Sequence, residues 1–395
     1  MRICHITTVH PAKDARIFYR MCRGLAARRI EVVEIAPGRF GAEPCLQPSE
    51  WNDAIAKASR PLRAVLALRA AVAEHAQVYH FHDPEFIPMA LALKLLKPDS
   101  AVVYDVHEDY PSMMRDKYWL PPWLRPALSL GMRWANRVAG RWLDGIVVAD
   151  PGVAAEFAAI TPGKIFVYYN FPSLSLFGRP PAAQSKAEVD LIYLGGLSER
   201  AGVFVLFDAL EILARSGIKP TVRLAGYTDG EEGLAAVNAA LKRRGLCDQV
   251  AFHGRLPHDQ VSDWLVTGRI GLVSLQAIPK FMKNIPSKMF EYWACGLPVL
   301  ASDLPPARKF LVDGKNGYLF SPASAAQLSE RISFMLSNPE RCRSLGRAGQ
   351  RAVRGEWNSE SQIDALIQFY QALGHKRLHP SHPTAARRPI DLPEH

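Results

Sequence analysis

The chain has 395 residues, 48% of them hydrophobic and 22% charged, with a formal net charge of +10. Those values fit a soluble globular protein of two domains, since single cores stop growing near ~250–300 residues. They exclude a membrane-spanning class, because no stretch approaches the ~20 apolar residues a span needs, and they favour anionic partners over a nucleic-acid motif that is nowhere present.

The opening "MRICHITTVHPAKDARIF" carries charge where a signal peptide keeps an apolar run, so a cytoplasmic protein opening on a buried strand is expected. "IFYRMCRGLAARR" has the period of an amphipathic helix and "IEVVEIAP" that of the next strand. "QVYHFHD", "AVVYDVHE", "DGIVVAD" and "KIFVYYN" continue the strands, with helical stretches around 61–75, 85–97 and 122–143 between them. Alternation of this kind predicts a doubly wound parallel sheet. The pattern breaks at "NFPSLSLFGRPPAAQSKAEVD", read as a linker, and a second series follows: "DLIYLGG", "TVRLAGYT", "QVAFHGRL", "RIGLVSLQ", "LPVLASD" and "GYLF". Helices alone follow residue 323, and the last segment is polar, basic and Pro-rich, as a disordered tail would be. The predicted divisions are a first α/β domain over 1–172, a linker over 173–188, a second α/β domain over 189–350, helices over 351–375 packing back toward the first, and a tail over 376–395. Six scattered cysteines without a C-x-x-C pair predict free thiols rather than disulfides or zinc.

Residues just past parallel strands face the ligand, so chemistry is sought there. The first domain offers His10, Asp14 and Arg16, then His80, His82, Asp83 and Glu85, then Asp105, His107, Glu108 and Asp109. His80 and His82 share one strand face beside Asp83, a spacing that permits a metal, but no carboxylate-rich ligand set completes it. His107 has the chemistry to bond a sugar hydroxyl as a neutral imidazole, or to sit as a buried ring at a strand end. In the second domain Gly195 and Gly196 of "LGGLSERAG" let backbone N–H groups approach an anion ahead of a helix, and Arg200 can pair with a phosphate. A tight strand-to-helix turn accounts for the same glycines. With no G-x-G and no GxxxxGK[ST], dinucleotide oxidoreductases and P-loop NTPases lose their main support. In "IPSKMFEYWACG" a helix between Pro286 and Gly296 buries Met289, Phe290, Tyr292 and Trp293 and turns Glu291 away from the packing face, with Lys288 three residues before it. Its two carboxylate oxygens suit vicinal hydroxyls such as those of a ribose. An ordinary intrahelical Lys–Glu pair would look the same.

"PSKMFEYWACGLPVLASD" followed by "LVDGKNGYLF" resembles the most recognisable block of glycosyltransferase family 4, and "HITTVHPAKDARIF", "HFHDPE" and "YDVHEDYP" resemble a subgroup from bacterial polysaccharide and glycoconjugate clusters. The resemblance implies a GT-B architecture, two Rossmann-like doubly wound domains facing across a cleft. It implies a retaining glycosyltransferase, of hexosyl or N-acetylhexosaminyl type, moving a sugar from a nucleotide-diphosphate sugar to a glycan, lipid-linked or small-molecule acceptor. Glu291 matches the second glutamate of the E-x7-E motif and would bind the ribose, whereas Lys283 stands where the first glutamate belongs. The backbone of Asn284, Ile285, Pro286 and Ser287 would meet sugar and phosphates, and Gly254, Arg255 and Leu256 would lie near the base. His107 resembles the histidine lining the donor-sugar pocket. Arg200 and Lys288 (or Lys283) would neutralise the leaving diphosphate, while His10, Asp14, Arg16, His82, Asp83 and Glu108 would stand on the acceptor side. No Asp-x-Asp is present, so a metal-independent reaction without cofactor is expected. The competing readings are a nucleotide-sugar 2-epimerase and an inactive nucleotide-sugar-binding partner subunit. "RPALSLGMRWANRVAGRWL" sets Arg125, Arg133, Arg137 and Arg141 among Trp134, Trp142 and leucines, the make-up of a helix lying at the cytoplasmic face of an anionic membrane or of an ordinary domain helix.

Overall fold

The computed structural model describes residues 1–117, 120–161, 163–177 and 187–378. They form two compact units, one of Met1–Asn170 with the segment from Ser359 onward, the other of Phe171–Asn358. The expected tail beyond Leu378, and 178–186 of the expected linker, lie outside the described residues.

Unit 1 is built on β1 (Arg2–Ile6), β2 (Glu31–Ile35), β3 (Leu46–Pro48), β4 (Val78–Phe81), β5 (Ala101–Val106), β6 (Gly145–Val148) and β7 (Ile165–Val167). They hydrogen-bond in the order β3-β2-β1-β4-β5-β6-β7, every pair parallel. β4, β5 and β6 are buried at every residue, as sheets covered on both faces require, which is why these strands read as apolar runs. The short β3 carries Pro48 at its end and has no such signal. The segment expected to be an α-helix from Ile17 begins earlier and winds differently: Ala15–Cys22 is a π-helix, continued as an α-helix over Arg23–Ala27. Asp14 caps it, its Oδ1 accepting the backbone N–H of Arg16 (2.8 Å) and Ile17 (3.1 Å). Wide π turns gather at functional sites, and this one holds both Arg16 and Arg20 inward and buried. The last helix, Ser359–Leu378, packs on unit 1, setting Tyr370 Oη 2.6 Å from His80 Nδ1.

Unit 2 contains β8 (Val189–Gly196), β9 (Val222–Tyr227), β10 (Val250–Phe252), β11 (Gly268–Val273), β12 (Val299–Ser302) and β13 (Gly317–Phe320), ordered β10-β9-β8-β11-β12-β13 and again parallel. Its core joins Leu206, Phe207 and Leu210 of the helix Val203–Arg215 to Ile270, Leu272 and Leu300 of the sheet. Each such fully buried side chain contributes about 1.5–3 kcal/mol. Four cysteines are buried, Cys45 and Cys247 are exposed, and all six are free. No helix among the described residues is long and apolar enough to cross a membrane.

Candidate active site

Both sheets reverse their strand order once, at β1/β4 and at β8/β11. Loops leaving such neighbours part to opposite faces and open a crevice at the strands' carboxyl ends.

At the first of these places unit 1 assembles charge. Asp83, just past β4, is buried, and its Oδ2 accepts from Thr7 Oγ1 (2.8 Å), Thr8 N (2.6 Å), Thr8 Oγ1 (3.2 Å) and Val9 N (3.3 Å). That one carboxylate therefore fixes the loop leaving β1. One strand outward, Asp105 is fully buried and gripped bidentately by Arg16, Nε to Oδ2 at 2.8 Å and Nη2 to Oδ1 at 2.7 Å. Arg16 spends Nη1 on Tyr168 O and Asn170 Oδ1, both at 2.8 Å. His82 Nδ1 (2.9 Å) and His107 Nε2 (3.0 Å) complete the shell of Asp105 Oδ2.

This shell fixes protonation. Burial alone would raise the Asp105 carboxyl, but Arg16 and His107 outweigh it and hold it well below the carboxylate range. An ionised carboxylate only accepts, so His82 donates from Nδ1 and His107 from Nε2. The other ring nitrogen of His107, Nδ1, has no hydrogen-bond partner among the described residues. Burial drops His82 to about 4 despite Asp105, so it is neutral and its Nε2 accepts from His5 Nδ1 at 2.9 Å. At the rim His10 Nδ1 lies 3.3 Å from Asp14 Oδ2. Burial opposes charge on both, yet their mutual contact prevails, raising His10 and lowering Asp14.

Beneath lies a second polar layer. The register pairs His5 with Glu34 on one side and with His80 on the other, and all three are fully buried. Glu34 Oε1 and Oε2, His5 Nε2 and His80 Nε2 have no partner among the described residues. Burial, with a contribution from Asp14, pushes Glu34 well above the usual carboxylate range, so it is held as a neutral acid. Two groups set metal-ligating atoms within 4.8 Å of one another: His5, His80 and His82, and His82, Asp105 and His107. The partner that joins His80 and His82 is thus His5 and not Asp83, which is committed to the β1 loop. In the second group the Arg16 guanidinium already occupies Asp105, a poor neighbour for a further cation.

Unit 2 finishes its crossing with backbone. Gly195 and Gly196 end β8, and the following loop is clamped to the end of β11: Ser274 Oγ donates to Ala201 O (3.2 Å) and Gly202 O (3.0 Å), and Gln276 N donates to Arg200 O (3.0 Å). Gly202 has φ +76°, and a Cβ there would stand 1.7 Å from Ser274 O, so no other residue fits without moving the clamp. Gly226 on β9 is equally constrained, since its Cβ would meet Gly195 O at 1.7 Å. Arg200 is exposed on this loop, its side chain without a partner among the described residues. Gly254 O accepts from Gly226 N at 2.8 Å, which brings the loop of Gly254, half-buried Leu256 and exposed Arg255 to the same edge.

The helix Lys288–Ala294 is anchored at the crossing by Tyr292. Its hydroxyl accepts from Leu194 N (2.8 Å) and donates to Leu272 O (3.1 Å), stitching the ends of β8 and β11 to the helix. Met289, Phe290, Tyr292 and Trp293 are buried as expected. Glu291 departs from expectation: it is fully buried, with Lys288 Nζ 2.8 Å from its Oε2. The reason is that a seven-residue helix enclosed by sheet, loop and the helix Pro339–Gly355 has little free face, and a lysine stem long enough to stay one-third exposed carries the compensating charge inward. Lys283 is exposed, Asn284, Ile285 and Ser287 are half-buried, and Pro286 is buried.

Of the residues read as acceptor-side, His10, Asp14 and Glu108 remain partly accessible, whereas Arg16, His82 and Asp83 are sealed inside the network and act through others. Sequence reasoning did not single out Thr7, Thr8, Glu34, Asn170, Gly202, Ser274, Gln276 or Tyr370. Only Gly202, ending the quoted turn, had a local signal.

Two family models match in series, Glycosyltransferase Family 4 over residues 15–175 and Glycosyl transferases group 1 over 179–352. The chain belongs to the family 4 glycosyltransferases, with the GT-B architecture of two Rossmann-like domains. It is similar to D-inositol 3-phosphate glycosyltransferase of Segniliparus rotundus, 27% identical over 234 residues, which are 56% of this chain and 50% of that protein. The match thus spans about half the length of that relative. Among solved structures, sucrose-phosphate synthase from Thermosynechococcus elongatus superposes with TM-score 0.73 at 18% identity, covering 94% of this chain and 99% of that one. Anabaena HepE in complex with UDP follows with TM-score 0.68 at 14% identity, covering 94% and 100%.

Proposed function

We propose that this protein transfers a hexosyl or N-acetylhexosaminyl group from a nucleotide-diphosphate sugar to a glycan, lipid-linked or small-molecule acceptor, with retention and without a metal ion. The observation that supports the reading is the end of β8 in unit 2, where Gly195 and Gly196 lead into the loop of exposed Arg200 and Tyr292 ties on the helix that bears the Lys288–Glu291 pair. Families share a fold more widely than a substrate, so the reading rests on these residues together with the family and on UDP being the ligand of HepE.

In this reading Glu291 accepts the two ribose hydroxyls, with Gly254, Arg255 and Leu256 beside the base. Gly195 and Gly196 leave room for the diphosphate against the backbone. Arg200 and Lys288 oppose the charge that grows on the diphosphate as the anomeric bond breaks, and Lys283 with the backbone of Asn284–Ser287 borders the sugar. His107, its ring held through Nε2 by Asp105, bonds a sugar hydroxyl through Nδ1. The acceptor lies against His10, Asp14 and Glu108, and its proton passes to the leaving diphosphate, which needs no further base. Arg16 at Asp105 supports the metal-free reading, since it supplies in place the positive charge that a cation would bring.

The test is turnover of a panel of UDP-, GDP- and ADP-sugars with polysaccharide and lipid-linked acceptors, followed by NMR of the product's anomeric proton. Retained configuration and activity unchanged by EDTA are expected. An inverted product, or activity lost to EDTA and restored by a divalent ion, overturns the corresponding part.

A further inference from the structure

We propose that the helix Leu124–Trp142 of unit 1 is a docking ridge for the surface of an anionic lipid bilayer. The helix is 19 residues long, about 28 Å at the α-helical rise. It buries Ser129, Asn136, Ala139 and Gly140 and leaves the opposite side in solvent. On that side stand Leu130 (68% exposed), Trp134 (69%) and Trp142 (61%), with Trp123 (77%) at the N-cap. Among the described residues these three are the only tryptophans counted as exposed; Trp51, Trp264 and Trp357 are partly covered and Trp293 is buried. Solvent-facing tryptophan is costly to hydrate and is not scattered over this molecule. It is gathered on one helix.

Beside the indoles runs a ladder of charge. Arg133, Arg137 and Arg141 follow one another at four-residue spacing, so they line one stripe, and all three are exposed. The helix contains no Asp or Glu, and these three arginines form no ion pair among the described residues. Arg125, counted with them from sequence, is not part of the stripe: it is half-buried and its Nε donates to Leu120 O at 2.9 Å.

Charge decides the occupant. A second copy meeting this face across a two-fold axis would set three arginines against three arginines with no acid to separate them. Anionic head groups complement the stripe, and indole rings settle at the depth where head groups meet acyl chains. Docking of this kind does not depend on the donor-binding reading.

Flotation of the full chain with vesicles of phosphatidylcholine alone, or mixed with phosphatidylglycerol, tests the ridge. Binding to the mixed vesicles only, weakened by salt, is expected, with tryptophan emission quenched by brominated acyl chains. The triple variants Trp123→Ala/Trp134→Ala/Trp142→Ala and Arg133→Gln/Arg137→Gln/Arg141→Gln should each lower the partition coefficient roughly tenfold or more. Thermal unfolding and nucleotide binding, measured on the same samples, should stay as in the wild type, which separates failure here from failure of the donor site. No binding of the wild type, equal binding to both vesicle types, or variants that bind like wild type would overturn the proposal. A vesicle-free dimer lost in the tryptophan variant would overturn it in favour of a second copy.

Discussion

Unit 1 closes the crossing between β1 and β4 with Asp83, Asp105, Arg16 and His82, all buried, whereas unit 2 leaves the crossing between β8 and β11 to glycine backbone with Arg200 exposed beside it. Apart from β7 at one edge of unit 1, the strand order is the same in both sheets, so the topology alone does not decide what a crossing becomes. Enclosed charge is rigid because each member satisfies another, and through Asp105 it holds the ring of His107 in place. Bare backbone and an exposed guanidinium suit a ligand that brings its own charge.

Three changes would break that contrast, in falling order of effect. Asp105→Ala leaves Arg16 buried with its main acceptor gone, which costs about 3–5 kcal/mol. Chemical denaturation should show a loss of that size, with the conservative Asp105→Asn intermediate. In unit 2 Gly202→Ala places a methyl against Ser274 O in left-handed backbone, a cost of roughly 2–3 kcal/mol. It should also weaken nucleotide binding, whereas the same change at Gly355, where a Cβ meets nothing, should do neither. Glu34→Gln is the mildest. Its folded-state pKa lies well above the usual carboxylate range, so below that range the acid costs nothing, and as pH rises the unfolded chain gains by ionising first. The variant should therefore be more stable than wild type near pH ~8 and less so near pH ~5, as read by chemical denaturation at the two pH values. A difference independent of pH would mean that Glu34 is ionised in the fold.

The same contrast governs how much was legible beforehand. Both sheets were, because parallel strands covered on two faces must be apolar along their length; β3, three residues ending in proline, was the exception. The second crossing could be read in outline, since "GGLSERAG" and "PSKMFEYWACG" are local in sequence, although the full burial of Glu291 could not, being set by the surrounding helix and loop. The first crossing was legible only as a collection. Its residues come from positions as far apart as Arg16, Asp105 and Asn170, and only the register shows that Glu34, His5 and His80 lie abreast. Spacing along a strand identified the shared face of His80 and His82 and gave no means of finding His5.

Calorimetric titration of the wild type and Glu291→Gln with UDP, GDP and ADP tests the central claim most directly. Hydrogen bonds to a charged acceptor contribute about 1.5–3 kcal/mol each, so one of the three should bind the wild type and bind the variant roughly tenfold or more weakly, with both proteins folded by thermal unfolding. Equal affinity in the two proteins, or no nucleotide diphosphate bound by either, would contradict it.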